Sequence, residues 1–290
     1  MAMTQDQNIE LTILSNPSYE QFLIATQILT KPIIIKQSME ESKILKDWNL
    51  TYFYKHLANR EIVTYQTEED GRYRDQGAFK IKADPFLFSL ETPQKDKKHY
   101  FVGGLPLDYF YELENDLEYP KFLNHDSIIS RRLKPLLWFG APSQTDLHYD
   151  IRYNVMMQVW GEKKILLYPP TKMKNFYPEN LPSLSMFSKI INPSKTNLNH
   201  FPRFKKITPI KVYLKRGDIL FIPLFWWHFV QGQGCPNLTI TYHWMESFKK
   251  MIRSPYYRRY FFNHDGIQKV TKSYFLFAKK KFKSFLSYSQ

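Results

Sequence analysis

The sequence predicts a mainly-β domain, a sandwich or barrel of short strands with helices near both ends of the chain. From about residue 136 onward, short apolar and β-branched segments follow one another with turns between them, which is typical of these architectures. Aromatic residues make up 17% of the chain and glycine occurs only 10 times, so the composition indicates a packed globular domain. Apolar residues recur at helical spacing mainly before residue 60 and after residue 246.

The first part of the chain, residues 1–134, is expected to pack its helices and strands on this β core. Ser18 is the candidate N-cap of a helix that continues to about Leu29. The apolar segment Lys31–Gln37 predicts a strand, and Glu61–Gln66 predicts another. A charged loop, TEEDGRYRDQG, follows the second strand.

Residues 135–246 are expected to form the core itself, and the strands predicted there include Asn154–Val159, Lys163–Tyr168, Val212–Leu214, Ile219–Pro223 and Asn237–Trp244. A tight turn at residues 160–162 would join the first two of these strands, with Gly161 supplying a positive φ. Residues 171–210 form a long insertion with an irregular pattern. Loops of that length are uncommon unless they have a function.

The last part, residues 247–290, is strongly basic and contains a single acidic residue, Asp265. Apolar spacing predicts two helices in it, separated near Asn263–Gly266. Its charge would attract nucleic acid, an anionic membrane or an acidic protein. The same charge is also typical of a solvated helical face, and both interpretations stay open.

Composition and patterning exclude several classes of protein. The longest apolar run, Ile219–Val230, is interrupted by Pro223 and His228 and is too short for a membrane span. The N-terminus lacks the basic and apolar segments of a signal peptide. One cysteine, Cys235, excludes an internal disulfide and fits a reducing compartment. We therefore expect a cytoplasmic protein. Its net charge is +14.

Three residues form a candidate metal-binding set. His148 and Asp150 are two positions apart, so both side chains would point to the same face of a strand. His228 closes an apolar strand 80 residues after His148. Two histidines and one carboxylate are the facial triad that holds non-haem Fe(II). The tripeptide alone is a weak signal, since a surface histidine near an aspartate is common; the sequence around it makes the difference.

The surrounding sequence resembles the JmjC-type, cupin-like 2-oxoglutarate-dependent oxygenases, and most closely their asparagine-hydroxylase branch. The segments TDLHYDIRYNVMMQVWGEKK, which begins at Thr145, and GDILFIPLFWWH, which ends at His228, carry the resemblance. It extends over about residues 135–244. The resemblance implies a double-stranded β-helix (jelly roll) with flanking N-terminal and C-terminal helices. It also implies Fe(II) at His148, Asp150 and His228, with 2-oxoglutarate and O2 as cosubstrates.

The resemblance further implies a set of residues that bind 2-oxoglutarate: Lys163 for its distal carboxylate, Tyr100 as a second donor to that carboxylate, and Thr145 and Asn154 as polar residues of the same pocket. His243 occupies a position where the related hydroxylase has asparagine, and we assign it to the pocket as well. Strand alternation allows only one of Lys163 and Lys164 to face inward. His243 and His228 could instead be structural histidines.

The implied activity is hydroxylation of a substrate C–H group, coupled to decarboxylation of 2-oxoglutarate to succinate. A side chain of a protein is the expected substrate, and demethylation of an N-methyl group would follow the same steps. Three alternatives remain: a tRNA-modifying hydroxylase suited to the basic surface, a non-catalytic cupin-like binding protein, and a metal-dependent cupin enzyme that does not use 2-oxoglutarate.

Two expectations concern partners. Relatives of the expected fold often dimerise through C-terminal helices, so homodimerisation is implied; the alternative is that the same apolar faces pack on the protein's own barrel. The insertion would border the mouth of the site, and its basic side chains would favour an acidic partner. These side chains are Lys189, Lys195, Arg203, Lys205 and Lys206.

Overall fold

A computed structural model describes residues 11–73, 77–91, 100–123, 134–179 and 186–262 of this chain, and it confirms the mainly-β prediction. Its strands are β1 Thr12–Ser15, β2 Ile33–Lys36, β3 Glu61–Gln66, β4 Phe79–Lys82, β5 Tyr100–Pro106, β6 Pro135–Gly140, β7 His148–Tyr149, β8 Tyr153–Tyr168, β9 Ile210–Leu214, β10 Ile219–Ile222 and β11 Trp227–Trp244. The helices are α1 Tyr19–Ala25, α2 Lys43–Lys46, α3 Leu50–Leu57, α4 Ala83–Glu91, α5 Tyr111–Glu114, α6 Phe248–Met251 and α7 Pro255–Phe262.

The strands form one large, open sheet whose order is β1-β2-β10-β8-β11-β6-β5-β3-β4, with β7 on β11 and β9 on β8. The two longest strands, β8 and β11, run antiparallel to each other along most of their length and form its centre. β2 pairs with β10 and β5 pairs with β6, so the N-terminal segment extends the sheet on both sides. The arrangement is consistent with the predicted jelly-roll fold.

The predicted pair of strands around Gly161 was wrong. Residues 153–168 form a single strand, and Gly161 has φ +66° inside it. The ladder to β11 continues on both sides of the glycine, and its register shifts between Gln233 and Leu238. The positive φ therefore bends a continuous strand instead of reversing it. A Cβ at Gly161 would lie 2.9 Å from the Gln233 carbonyl oxygen, so the close approach of β11 also requires glycine there.

The first helix begins as predicted but ends four residues early. Ser18 forms a capping box with Gln21, which fixes the start of the helix. The helix ends at Ala25, because Gln27, Ile28 and Leu29 all have positive φ. The Thr26 hydroxyl donates to the Phe22 carbonyl and accepts from the Leu29 N–H. This local turn replaces the last helical turn that apolar spacing predicts.

Burial divides the described residues into three apolar clusters. The largest packs the N-terminal helices on the sheet, as where Phe53 contacts Phe139 at 4.7 Å between ring centroids. A second cluster lies behind β7 and includes Tyr149, Trp227 and Tyr256. The third fills the space between β8, β9 and β10. The N-terminal helices thus stabilise the sheet from one side, and the insertion and C-terminal residues cover it elsewhere.

Helix α7, which lies where the first of the two C-terminal helices is predicted, packs on the protein's own sheet. Tyr256 and Tyr257 of α7 are buried, and Tyr256 belongs to the cluster behind β7. This contact favours intramolecular packing for that helix. The second predicted helix, and the separating residues 263–266, lie outside the described residues. Among the helices in the described ranges, none has the length and apolar composition needed to span a membrane.

Candidate metal centre

Backbone pairing brings the two predicted histidine ligands together. β7 pairs antiparallel with the start of β11, and His148 lies directly opposite His228 in that ladder. Side chains of directly opposite residues point to the same face of a sheet. The two imidazole rings consequently lie 4.2 Å apart between centroids, although 80 residues of sequence separate them.

Asp150 completes the cluster. Its Oδ2 lies 3.6 Å from Nε2 of His228, and one ligand atom from each of His148, Asp150 and His228 lies within 4.8 Å of the others. His228 is 2% exposed at its side chain, whereas the Asp150 side chain keeps 26% exposure. The position of Asp150 is fixed from behind, because its carbonyl oxygen accepts a hydrogen bond from the Phe225 N–H.

Hydrogen bonds to the main chain set the tautomer of both histidines. Nδ1 of His148 lies 2.8 Å from the Asp146 carbonyl oxygen, and Nδ1 of His228 lies 2.9 Å from the Trp226 carbonyl oxygen. A carbonyl oxygen can only accept, so each Nδ1 must carry the proton and donate it. In the neutral imidazole, the Nε2 lone pair is then free to bind a metal.

The electrostatics favour a neutral His148 imidazole beside an ionised Asp150 carboxylate. Burial and the neighbouring His228 lower the pKa of His148 to about 4. Burial by itself would raise the pKa of Asp150, but His228, His148 and His243 and a hydrogen bond from Asn154 hold it below its usual value. At pH 7 the cluster thus offers a neutral His148 nitrogen and an anionic Asp150 oxygen.

Lys163 faces a cavity of about 120 Å³ that also contains all three members of the cluster. It is 6% exposed, and burial lowers its pKa to about 8. No side chain in the described ranges forms a hydrogen bond or ion pair with its ammonium group. Lys164 faces the opposite side of β8, as strand alternation requires. A buried ammonium group without a counter-charge is costly, so the cavity is suited to an anion.

Three further predicted residues line the same cavity, namely Thr145, Asn154 and His243. The Thr145 hydroxyl oxygen accepts from the Val230 N–H at 3.0 Å, which leaves the hydroxyl proton to donate to a ligand. Asn154 pairs with His243 across β8 and β11, and its side-chain oxygen is buried without a hydrogen-bond partner. The Asn154 side-chain oxygen can therefore still accept a hydrogen bond, and the Thr145 hydroxyl can still donate one, to a ligand in the cavity.

His243 is oriented by its neighbours on the sheet. Its Nε2 lies 3.1 Å from the Thr241 hydroxyl, which in turn accepts from Nε1 of Trp138 at 2.9 Å. Thr239, Thr241 and His243 line the cavity, while Ile240, Tyr242 and Trp244 belong to the core behind it, as the alternation predicts. Burial lowers the pKa of His243.

The structure places Tyr100 outside the cavity lining and brings Tyr73 into it. The Tyr100 ring packs on Phe79 at 6.0 Å between centroids. Tyr73 packs on Phe101 at 4.9 Å, and burial raises the pKa of its hydroxyl. Sequence reasoning missed Tyr73, because it lies in the charged loop TEEDGRYRDQG. The one sequence feature that could have indicated Tyr73 is that it is an aromatic residue in an otherwise polar and charged loop.

Part of the long insertion lies beside the cluster of His148, Asp150 and His228. The Leu147 N–H donates to the Ile191 carbonyl and the Tyr149 N–H to the Met186 carbonyl, so residues 186–191 pair with the strand that carries His148. The Phe187 ring is nearly parallel to the His148 ring, with 5.3 Å between centroids. The described part of the insertion thus borders the site, as predicted.

An aromatic cluster supports the two histidine strands from behind. Tyr149 and Trp227, which follow and precede the two histidines, are themselves a cross-strand pair. The Trp227 Nε1–H donates to the Tyr256 hydroxyl at 3.3 Å, and that hydroxyl donates to the Thr171 carbonyl at 2.7 Å. Tyr149 donates to the Tyr256 carbonyl at 3.2 Å. One residue of α7 therefore joins β7, β11 and the start of the insertion.

The donor set fits Fe(II). Two nitrogens and one carboxylate on one side of an ion leave its other positions open, which is the arrangement of non-haem Fe(II) oxygenases. The Nδ1 hydrogen bonds to carbonyl oxygens are the usual support of metal-binding histidines. Lys163 lines the same cavity as this donor set.

Comparison with known proteins gives a consistent picture. The family model described as Cupin-like domain matches residues 20–250. The chain is 23% identical to Lysine-specific demethylase 8 of Xenopus tropicalis over 79% of this chain and 51% of that protein. It is 36% identical to HSPB1-associated protein 1 of Homo sapiens over 74% of this chain and 42% of that protein. It therefore spans about half the length of these two relatives. A third relative, tRNA wybutosine-synthesizing protein 5 of Gallus gallus, is 22% identical over 79% of this chain and 75% of that protein.

Proposed function

The chain belongs to the JmjC-type, cupin-like family of Fe(II)- and 2-oxoglutarate-dependent oxygenases, and we propose that it hydroxylates a side chain of a protein substrate. 2-Oxoglutarate would be decarboxylated to succinate in the same turnover. Hydroxylation is favoured over demethylation, although both begin at a C–H group and place the same demands on the site.

One observation carries the proposal: a buried lysine without a partner among the described residues shares a small cavity with a two-histidine, one-carboxylate cluster. An anionic ligand would give the buried lysine a counter-charge, and a metal ion would bind to the cluster. A cosubstrate with a chelating 2-oxo acid at one end and a carboxylate at the other satisfies both. A structural histidine cluster would not need Lys163 buried next to it.

Each residue would have a defined role. His148, Asp150 and His228 would hold Fe(II), which when bound supplies the oxidising chemistry with O2 and the 2-oxo acid. Lys163 would neutralise the distal carboxylate, and the Thr145 hydroxyl would donate to the same cosubstrate. We assign Tyr73, in place of Tyr100, as the tyrosine of this pocket.

Asn154 and His243 would contact the ligands of the site from the opposite wall. Asn154 donates to Asp150 and orients that carboxylate, while its free oxygen is available to a bound molecule. The apolar part of the lining, which includes Phe101, Trp138 and Met156, would exclude water from the reacting atoms.

A protein substrate is supported by the way in which the insertion borders the site. Residues 186–191 add backbone hydrogen bonds to the edge of β7, next to His148. An extended polypeptide that enters beside this bordering segment would be recognised by main-chain hydrogen bonds together with side-chain pockets. Two of the relatives carry names that refer to proteins, as a lysine-specific demethylase and as an HSPB1-associated protein.

The deciding test is succinate formation from 2-oxoglutarate and Fe(II) in the presence of cell-extract fractions separated into protein, RNA and small molecules. We expect stimulation by a protein fraction in the native chain and none in a His148→Ala variant. Absence of cosubstrate turnover with every fraction, together with absence of iron binding, would favour a non-catalytic binding protein. Iron binding without 2-oxoglutarate binding would favour a cupin enzyme of another class.

A tRNA-modifying hydroxylase is the second candidate, favoured by the basic insertion and by the relative named as a tRNA wybutosine-synthesizing protein. Salt sensitivity does not separate the two candidates, because both substrates would be attracted electrostatically. Competition does separate them. Turnover of a protein substrate should be largely indifferent to added tRNA, whereas product formation on RNA alone would reverse the choice.

A further inference from the structure

A groove of about 370 Å³ lies on the opposite face of β8 from Lys163. Its floor is the outer face of β8 and β9, where Lys164 is paired with Tyr213 and Leu166 with Lys211. Its wall comes from the insertion, through residues 193–209. The metal site and this groove thus use alternate residues of the same strand and are separated by the sheet.

The groove combines an apolar floor with a rim of lysines. Leu166, Tyr168 and Phe204 are buried at its base, and Tyr213 is 55% exposed on its side. Its three charged residues are Lys164, Lys205 and Lys211. Within the described ranges, none of the three forms an ion pair, and no carboxylate lines the groove.

The segment that forms the groove has few acidic residues to balance its positive charge. From Lys164 to Arg216 the chain has eleven Lys and Arg residues and one acidic residue, Glu179. The whole protein has a net charge of +14, so this segment holds most of the excess. A partner with several carboxylates would therefore be attracted to this face at long range.

The groove also has an open sheet edge. In the part of the chain that the structure describes, β9 pairs with β8 and with no other strand. The free edge of such a strand presents N–H and C=O groups to an added strand. Lys211 and Tyr213, the two outward residues of β9, would flank a chain bound there.

From these observations we propose that the β8–β9 groove docks an extended acidic segment of a protein, with carboxylates at the lysines and apolar side chains on the floor. This proposal rests on the proposed function in one respect: the docked segment is taken to belong to the protein substrate. Binding here would hold that substrate while another segment of it reaches the iron on the far side of the sheet.

An acidic peptide fits the groove better than RNA does. Stacking of successive bases requires several exposed aromatic rings, and among its lining residues only Tyr213 is an exposed aromatic side chain. The buried leucine and phenylalanine at the floor are suited to apolar side chains. Lysines supply charge to either partner, so the apolar floor and the open edge decide the assignment.

The test measures fluorescence anisotropy of a labelled peptide of alternating glutamate and leucine with the full chain. The Lys205→Glu/Lys211→Glu double variant should weaken binding by roughly tenfold or more, because two attractive charges become repulsive. The Lys172→Glu/Lys174→Glu variant makes the same charge change at exposed positions outside the groove and should have a much smaller effect. A His148→Ala variant should bind the peptide normally, which separates docking from iron chemistry.

Two further probes complete the test. The same peptide with alternate backbone nitrogens methylated should bind more weakly, since it cannot pair with the β9 edge. A peptide of alternating lysine and leucine should not bind. Equal losses in the two double variants, or binding of a single-stranded RNA oligonucleotide that the groove variant alone weakens, would overturn the proposal. Failure of peptide binding in a protein that still turns over 2-oxoglutarate would reject the docking groove and leave the proposed function intact.

Discussion

His148 and His228 are directly opposite each other in the antiparallel ladder of β7 and β11, with ring centroids 4.2 Å apart. Main-chain hydrogen bonding thus sets the distance between the two candidate nitrogen ligands before any metal binds. Asp150 follows β7 by one residue, so the same short strand positions two of the three ligands. The geometry of the candidate metal centre consequently depends on strand pairing, and metal binding should respond to changes that disturb that pairing.

Removal of a ligand should abolish metal binding without unfolding the chain. In His148→Ala or Asp150→Ala, two ligands remain, which is too few for stable retention of Fe(II). We expect no retained iron after purification and no 2-oxoglutarate turnover, with an unchanged circular dichroism spectrum. The exposed His200 provides a control, because His200→Ala should keep both iron and activity. Full activity in both ligand variants would remove the assignment of the site.

Lys163→Ala should weaken 2-oxoglutarate binding much more than metal binding, and Lys164→Ala should do little. The reason is strand alternation: Lys163 is buried in the cavity, whereas Lys164 faces the outer groove. Isothermal titration with Mn(II) in place of iron would measure both affinities. If the two variants lose cosubstrate affinity equally, the carboxylate anchor lies elsewhere.

Cosubstrate affinity should fall at alkaline pH. Burial lowers the pKa of Lys163 to about 8 in the ligand-free protein, so above that pH the ammonium group loses the proton that attracts the carboxylate. The expected loss is about tenfold per pH unit once the lysine is mostly neutral. A Lys163→Arg variant stays charged and should show a flatter profile, whatever its absolute affinity. A steep profile that persists in this variant would assign the pH dependence to another group.

The metal-free protein should lose stability on acidification through His148. The folded-state pKa of about 4 lies below the usual value, so between pH 6.5 and 4 the unfolded chain binds more protons than the folded one. Stability from this group is complete above pH 6.5 and decreases as the pH falls, by up to roughly 3 kcal/mol. Urea unfolding at several pH values should show a larger loss for the native chain than for His148→Gln. Identical losses would exclude His148 as the titrating group.

Tyr256→Phe should weaken metal binding although Tyr256 does not face the cavity. The change removes the hydroxyl that accepts from Trp227 and donates to Thr171, while it keeps the ring. Loss of such outer support typically lowers metal affinity by about 10-fold to 100-fold. Tyr260→Phe removes a hydroxyl from the same helix and should have little effect. Metal affinity should be measured at a temperature at which both variants are folded. A lower affinity in folded Tyr256→Phe alone would then reflect a change at the metal site and not general destabilisation.

Local sequence was sufficient for several elements. Glu61–Gln66 is a strand with the predicted bounds, and Ser18 caps the first helix. The alternation that turns Lys163 inward and Lys164 outward also follows from the strand period alone. The mainly-β class could be predicted because strand spacing and turn residues are local signals.

Other features depended on contacts between distant segments. Gly161 reads as a hairpin turn in the sequence, but pairing with β11 on both sides keeps residues 153–168 in one strand. The resemblance implied a pocket role for Tyr100, whereas the loop of residues 67–73 packs against residues 142–144 and brings Tyr73 into the cavity lining instead. Loop positions carry no periodic signal from which such a contact could be predicted.

The sequence by itself determined the chemical identity of the centre: two histidines and an aspartate at spacings that strands can bring together, and a lysine beside them. Only the tertiary structure decided how they meet. The β7–β11 register puts His148 opposite His228, carbonyl oxygens set both tautomers, and Tyr256 of the C-terminal helix supports the pair from behind. The physical reason is that side-chain type and strand periodicity are properties of a short segment of sequence. Strand register, histidine tautomer and the packing behind the two histidines arise from contacts between segments that lie far apart in the chain.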